Sequence, residues 1–368
     1  MPARHSLGFD QESASVAVER AVAELRFGRP VLLRQGKRHL AVLALDCVSP
    51  GVYDQFAQAV EGSHHLLLTA PRAARLRIEA QGDVTVPLRG VSFEQASALS
   101  YALGASPPAV WRDADPLISR SAELARMALL LPAMVAADVT GRVDTFSACL
   151  CLNAAHLGGS HAIRQHFEIA ARTAVPLKDL GPAEFVVFRG GLAQKDQVAI
   201  VVGRPDTKKP VPIRIHSSCM TGDLCGSLKC DCGDQLRNGL TLLEQAGGGV
   251  LLYLDQEGRG TGIGAKMRAY GYQAKGLDTI DADAELGLGD DHRRYEAAVA
   301  MLTLLGISST IVYTNNPAKI AALQAAGITV DARAPVTGRV TPENAGYLRT
   351  KTLRAGHMLD PESFIAAE

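Results

Sequence analysis

The chain has 368 residues, 47% apolar and 21% charged, and its 38 Lys plus Arg equal its 38 Asp plus Glu. That length suits about two domains at roughly 100–200 residues each, and the composition excludes intrinsic disorder. With no net charge the chain has no general attraction to nucleic acid or an anionic membrane, so any bound anion must be held by a local site.

The first 13 residues, MPARHSLGFDQES, lack the apolar stretch of a secretory signal. The longest apolar run, Met127–Ala137, is broken by Pro132 and is about half the length a membrane helix needs. Seven cysteines are too few for a disulfide scaffold and point to a reducing cytoplasm. PVLLR (30–34), HLAVLAL (39–45) and HHLLLT (64–69) read as buried strands, and SRSAELARMALLLP (119–132) as a helix ending at Pro132. Residues 138–185 are less regular, and the domain boundary is placed there. Beyond it Leu236, Leu240 and Leu243 mark a helix stopped by Gly247, and GVLLYL (249–254) is a strand. Helices follow near 264–274 and 294–305, with a strand at STIVYT (309–314). Asn316 and Pro317 then supply the N-cap and first position of another helix. The fold class is α/β, with α+β possible for the amino-terminal part and a largely parallel sheet for the second.

Cys219, Cys230 and Cys232 form C-x10-C-x-C, with Cys225 between them. Three thiolates suit zinc and leave a fourth position for water; a closed four-cysteine structural site and plain buried thiols are the alternatives. EGRGTGIG (257–264) meets neither the dinucleotide fingerprint nor the phosphate-loop pattern. It is either an anion-binding loop beside Arg259 or a tight turn. Thr314 ends a strand just before a helix, and Lys319 lies on that helix, an arrangement that suits phosphate. Asp291 and Arg293 share a polar turn that also reads as an ordinary helix start.

Taken together, RIHSSCMTGDLCGSLKCDCGDQL (214–236), LDQEGRGTGIGAKMRAYGYQAKGLDT (254–279), LGLGDDHRRY (286–295), TNNPAKI (314–320) and YLRTKTLRAGHML (347–359) resemble GTP cyclohydrolase II. The resemblance implies one zinc per chain on Cys219, Cys230 and Cys232, with Cys225 not a ligand. It implies Asp291 as general acid/base, Arg293 as nucleophile on the α-phosphorus and Tyr270 as an active-site tyrosine. Arg214, Ile215, His216, Ser217, Ser218, Gln235, Glu257, Gly258, Arg259, Thr279, Thr314 and Lys319 match GTP-contacting positions. The implied enzyme is a cytoplasmic, homodimeric hydrolase of riboflavin biosynthesis. It converts GTP, with Mg²⁺ on the triphosphate, to a diaminopyrimidinone ribosylamine phosphate, formate and pyrophosphate. Ser218 stands where the family commonly has Glu, and Arg294 where it has Asp. Those departures motivate two alternatives: a paralogue with an altered product or pathway, such as pyrimidine catabolism, and a non-catalytic nucleotide-binding regulator.

The amino-terminal part resembles 3,4-dihydroxy-2-butanone 4-phosphate synthase through GRPVLL (28–33), CVSPGVYDQF (47–56) and ELARMALLLPA (123–133). It lacks that family's acidic run: RQGKRH (34–39) stands where Mg²⁺ would need oxygen ligands. The expected partition is therefore 1–137, a degenerate and non-catalytic synthase-like domain; 138–165, a linker; and 166–368, the cyclohydrolase domain.

Overall fold

The computed structural model describes residues 14–158, 167–191, 196–289, 293–354 and 356–359. They form two units, each with its own seven-stranded sheet. Among the described residues, the first unit takes in those up to 158 together with 261–277 and 281–289; the second takes in the rest.

In the first unit the strands are β1 (Val31–Gln35), β2 (Arg38–Ala44), β3 (His65–Leu68), β4 (Val84–Pro87), β5 (Arg112–Asp113), β6 (Met134–Asp138) and β7 (Leu150–Asn153). They lie in the order β5-β4-β3-β6-β2-β1-β7. Every pairing is antiparallel except β1 with β7. β1 and β2 join through the two-residue turn Gly36-Lys37, with Gly36 at φ +61°, the conformation that such a hairpin requires. Leu43, Leu66, Val135, Tyr53 and Phe56 centre its core. Helices start where caps allow: Ser92 and Gln95 form a capping box before Phe93–Tyr101, and Asp115 accepts from Leu117 N at 2.8 Å before Pro116–Met127. The latter helix ends before Pro132, because Leu129 takes φ +56°. The stretch 138–158, expected as linker, carries β7 and completes this sheet.

In the second unit β8 (Phe167–Leu177), β9 (Gly181–Gly190), β10 (Gln197–Gly203), β11 (Val211–Ser217), β12 (Gly248–Leu254), β13 (Ser309–Tyr313) and β14 (Thr329–Ala334) lie in the order β14-β13-β11-β12-β10-β9-β8. The expected largely parallel sheet is half of this. β14, β13, β11 and β12 are parallel, whereas β8, β9 and β10 are antiparallel. Short links such as Lys178–Leu180 join only antiparallel neighbours; a parallel pair needs a crossover of a dozen or more residues. The helices Cys232–Gln245, Glu296–Leu304 and Pro317–Ala325 supply those crossovers. Asn316 caps the last one, accepting from Ala318 N at 2.9 Å. Among the described residues no helix is long and apolar enough to cross a membrane.

Candidate active site

Three loops meet at the carboxyl ends of the adjacent parallel strands β13, β11 and β12: Ser218-Cys219, Asp255–Arg259 and Thr314–Asn316. Open α/β sheets bind ligands at this edge.

Cys219 leaves β11 into a single π-helical turn, Met220–Leu224, and Cys230 and Cys232 stand just before and at the start of the Cys232–Gln245 helix. Their three Sγ atoms lie within 4.8 Å of one another, and they are the one such group of potential metal ligands among the described residues. Tetrahedral thiolates about 2.3 Å from a zinc ion stand about 3.8 Å apart; Cys219 and Cys230 Sγ are 3.7 Å apart. Gly222 forms the floor of this cradle. Its N–H donates to Cys219 Sγ at 3.3 Å, and a Cβ there would lie 2.9 Å from Cys230 Sγ and 3.1 Å from Cys219 Sγ. The residues therefore fit a zinc ion. Cys225 is exposed and outside the group. A hydrogen bond with Cys219 pushes the Cys230 thiol up, and hydrogen bonds with Cys219 and Cys230 push up Cys232; a divalent cation relieves that cost of losing protons.

A buried polar network supports the first cysteine. Asp223 accepts from Tyr253 OH and Cys219 N, each at 2.9 Å, and from His216 Nε2 at 3.1 Å. Burial lowers the His216 pKa, so the ring is neutral at pH 7. Its Nδ1 accepts from Arg214 Nη2 at 3.5 Å, which leaves the proton on Nε2 facing Asp223. Tyr253 stacks on His216 with ring centroids 5.6 Å apart. Burial pushes the Arg214 guanidinium down to about 10, still cationic at neutral pH. It donates to Gln235 Oε1 at 2.9 Å and to Tyr313 O at 3.3 Å. Gly239 admits it: a Cβ there would lie 2.3 Å from Arg214 Cδ.

The other expected residues occupy several settings. Ile215 is a core side chain whose carbonyl accepts from the buried Lys319 Nζ at 2.6 Å, and the buried Thr314 accepts from Asn316 N at 3.0 Å. Ser217 Oγ is buried with no hydrogen-bond partner among the described residues, and Ser218 Oγ accepts from Gln256 N at 3.2 Å. Glu257 accepts from Met220 N at 2.6 Å, which ties the loop after β12 to the cysteine turn. Gly258 and Arg259 both take left-handed backbone, φ +62° and +61°. For an arginine that conformation costs on the order of 1–3 kcal/mol and marks candidate functional positions. Arg259, Thr279, Arg293, Tyr347, Lys351 and His357 line one pocket of the second unit. Tyr270 lies in the first unit, on the Gly262–Gln273 helix, with Lys266 Nζ 5.5 Å from its ring centroid. Asp291 lies outside the described residues.

Sequence reasoning missed Asp223, Tyr253, Asp231 and Lys351. Lys351 Nζ donates to the buried Asp231, between Cys230 and Cys232, at 3.2 Å, and sits 4.2 Å from the Tyr347 ring centroid. Both Asp223 and Lys351 lie inside motifs already singled out, 214–236 and 347–359; only three-dimensional contact assigns them partners. The two departures at Ser218 and Arg294 meet at Gln256, whose side chain also donates to the Arg294 carbonyl.

Residues 168–335 match the family model described as GTP cyclohydrolase II. A protein named GTP cyclohydrolase-2 from Xylella fastidiosa (strain 9a5c) is 52% identical over 358 residues, 96% of this chain and 90% of its own. The chain belongs to the GTP cyclohydrolase II family. Another family member, GTP cyclohydrolase-2 from Azospirillum brasilense, is 36% identical to the enzyme, covering 94% of this chain and 95% of its own. A protein named riboflavin biosynthesis protein RibBA from Bacillus mycoides is 42% identical over 54% of this chain and 51% of its own. A solved structure of RibBX, a two-domain 3,4-dihydroxy-2-butanone 4-phosphate synthase from A. baumannii, is 17% identical, covering 88% of this chain and 99% of its own, with a TM-score of 0.31.

Proposed function

We propose that this family member hydrolyses GTP to 2,5-diamino-6-(5-phosphoribosylamino)pyrimidin-4(3H)-one, formate and pyrophosphate with one zinc per chain. The observation that carries the reading is the three-sulfur cradle over Gly222. Zinc bound there supplies a water whose pKa is lowered to about 7, the hydroxide source for opening the imidazole ring at C8.

The chain's own residues do the rest. Arg259, Arg293, Lys351 and His357 give the pocket an excess of donors suited to phosphate oxygens, with the Thr279 hydroxyl beside them. Arg293 takes the nucleophile's role at the α-phosphorus: its guanidinium gives up a proton as the P–N bond forms and the bond to the departing pyrophosphate breaks. Water then cleaves the P–N bond, and Asp291 with Tyr270 moves the protons. Arg214, His216 and Gln235 form one hydrogen-bonded network, which fixes their donors before substrate arrives. Mg²⁺ carried on the triphosphate finds no carboxylate among the described residues lining the pocket and is given no protein ligand. A cytoplasmic homodimer, with neither nucleic acid nor membrane as partner, belongs to the same proposal.

The amino-terminal part is assigned no synthase activity. Arg38 sits between two carboxylates, donating to Asp115 at 2.7 Å and Asp138 at 2.8 Å. Both carboxylates are thus already paired with a cation, and neither is offered to Mg²⁺.

Elemental analysis and a formate assay on Cys230→Ser test the zinc assignment: both zinc and formate release are lost. Full zinc content in that variant overturns it. Cys225→Ser keeps both; loss of zinc there makes the site a four-cysteine one.

A further inference from the structure

Residues 261–277 and 281–289 lie inside the stretch that matches the family model, yet they pack with the amino-terminal residues of the first unit. Ala265 and Ala269 of the Gly262–Gln273 helix are buried with Leu131, Ala282, Leu286 and Leu288. Tyr272 OH donates to the Tyr101 carbonyl, and Arg268 reaches Asp46 at 2.9 Å while lying 4.8 Å over the Tyr101 ring. Thr69 Oγ1 donates to Gly287 O at 2.6 Å.

The centre of this packing is ionic. Arg72 is 1% exposed and pairs with Glu285, itself 5% exposed. The same guanidinium donates to the carbonyls of Leu99 at 2.9 Å and Ala102 at 2.8 Å, closing the end of the Phe93–Tyr101 helix. Arg75 holds the other Glu285 oxygen at 2.7 Å. A buried arginine that satisfies one helix end and one distant carboxylate fixes both elements. Removal of either partner strands a buried charge, so the segment must shift or admit water.

We infer that Arg72 and Glu285 are positioning residues for the cyclohydrolase reaction. Their ion pair fixes the 281–289 segment and, through the Ala265–Ala269–Ala282–Leu286 contacts, the helix that carries Tyr270. The amino-terminal part of the chain is thus a scaffold for a piece of the catalytic sequence. The inference rests on the role given to Tyr270.

The test uses full-length protein: Glu285→Gln, Arg72→Met, the double variant Arg72→Met/Glu285→Met, and the milder Arg75→Gln. A displacement of about 1 Å at a reacting group costs up to about 100-fold in rate. Each single variant at the buried pair is therefore expected to lower kcat for formate release about 10- to 100-fold, with KM for GTP and zinc content held. Amide hydrogen exchange of residues 262–289 rises in parallel, and Arg75→Gln shows a smaller change in the same direction. The apolar double variant recovers both readouts in part: no stranded charge is left, although the Leu99 and Ala102 carbonyls lose their donor. Unchanged exchange across 262–289, or wild-type kcat despite faster exchange, overturns the inference. Should the singles fail to fold, Arg75→Gln decides on the same two readouts. Tyr270→Phe separates the underlying role: full activity there overturns the tyrosine's role alone, and a coupled fall of kcat and protection in Glu285→Gln still upholds the positioning.

Discussion

Gly222→Ala is the sharpest probe of the cysteine cradle. The added Cβ would stand 2.9 Å from Cys230 Sγ, 3.0 Å from Cys232 Cβ and 3.1 Å from Cys219 Sγ. All three neighbours belong to the proposed ligands. In the metal-free protein the Cys219 and Cys230 sulfurs can rotate away; with zinc bound they cannot, so the strain of those two contacts falls on the zinc-bound state. Overpacking of this kind costs about 1–3 kcal/mol, which converts to a zinc affinity weaker by about 5- to 150-fold at 1.4 kcal/mol per tenfold. Competition against a chromophoric chelator measures the affinity, and circular dichroism confirms the fold. Gly51→Ala is the control. It lies in the Pro50–Ala59 helix with nothing within 4 Å of its Cβ position, and it leaves zinc affinity unchanged. Wild-type zinc affinity in Gly222→Ala refutes the cradle.

Three further outcomes are expected. Gly239→Ala places a Cβ 2.3 Å from Arg214 Cδ and displaces the guanidinium, so KM for GTP rises; an unchanged KM removes Arg214 from binding. Asp223→Asn cannot accept from His216, Tyr253 and Cys219 N together, and a lost charge-assisted bond costs about 1.5–3 kcal/mol. The melting temperature therefore falls, by roughly 2–4 °C per kcal/mol for a unit of this size; an unchanged melting temperature contradicts the network. Ribulose 5-phosphate with Mg²⁺ yields no formate, and formate at a rate comparable to that from GTP overturns the reading of Arg38 between Asp115 and Asp138.

The sequence was legible where burial is uniform. HLAVLAL and GVLLYL are apolar runs because both faces of β2 and β12 are covered. The β8–β9 hairpin was not legible: FEIAARTAVPL is an edge strand with most side chains in solvent, and it shows no period of two. ALLLP reads as a continued helix by its hydrophobicity, but the left-handed Leu129 ends the helix there. The thiol triad was readable from spacing, since chemistry restricts where three cysteines are useful. Asp223 and Lys351 were not, because a buried carboxylate and an exposed one are the same letter until the fold supplies partners. Nor can chain order show that 261–277 and 281–289 pack with residues 69–131.

One chain is expected both to open the imidazole ring and to cleave the phosphoanhydride of GTP. Incubation of the zinc-loaded enzyme with GTP, with formate, pyrophosphate and the diaminopyrimidinone quantified together, tests it directly. All three products are expected in equal amounts. Pyrophosphate without formate, or formate with the triphosphate left intact, would contradict it.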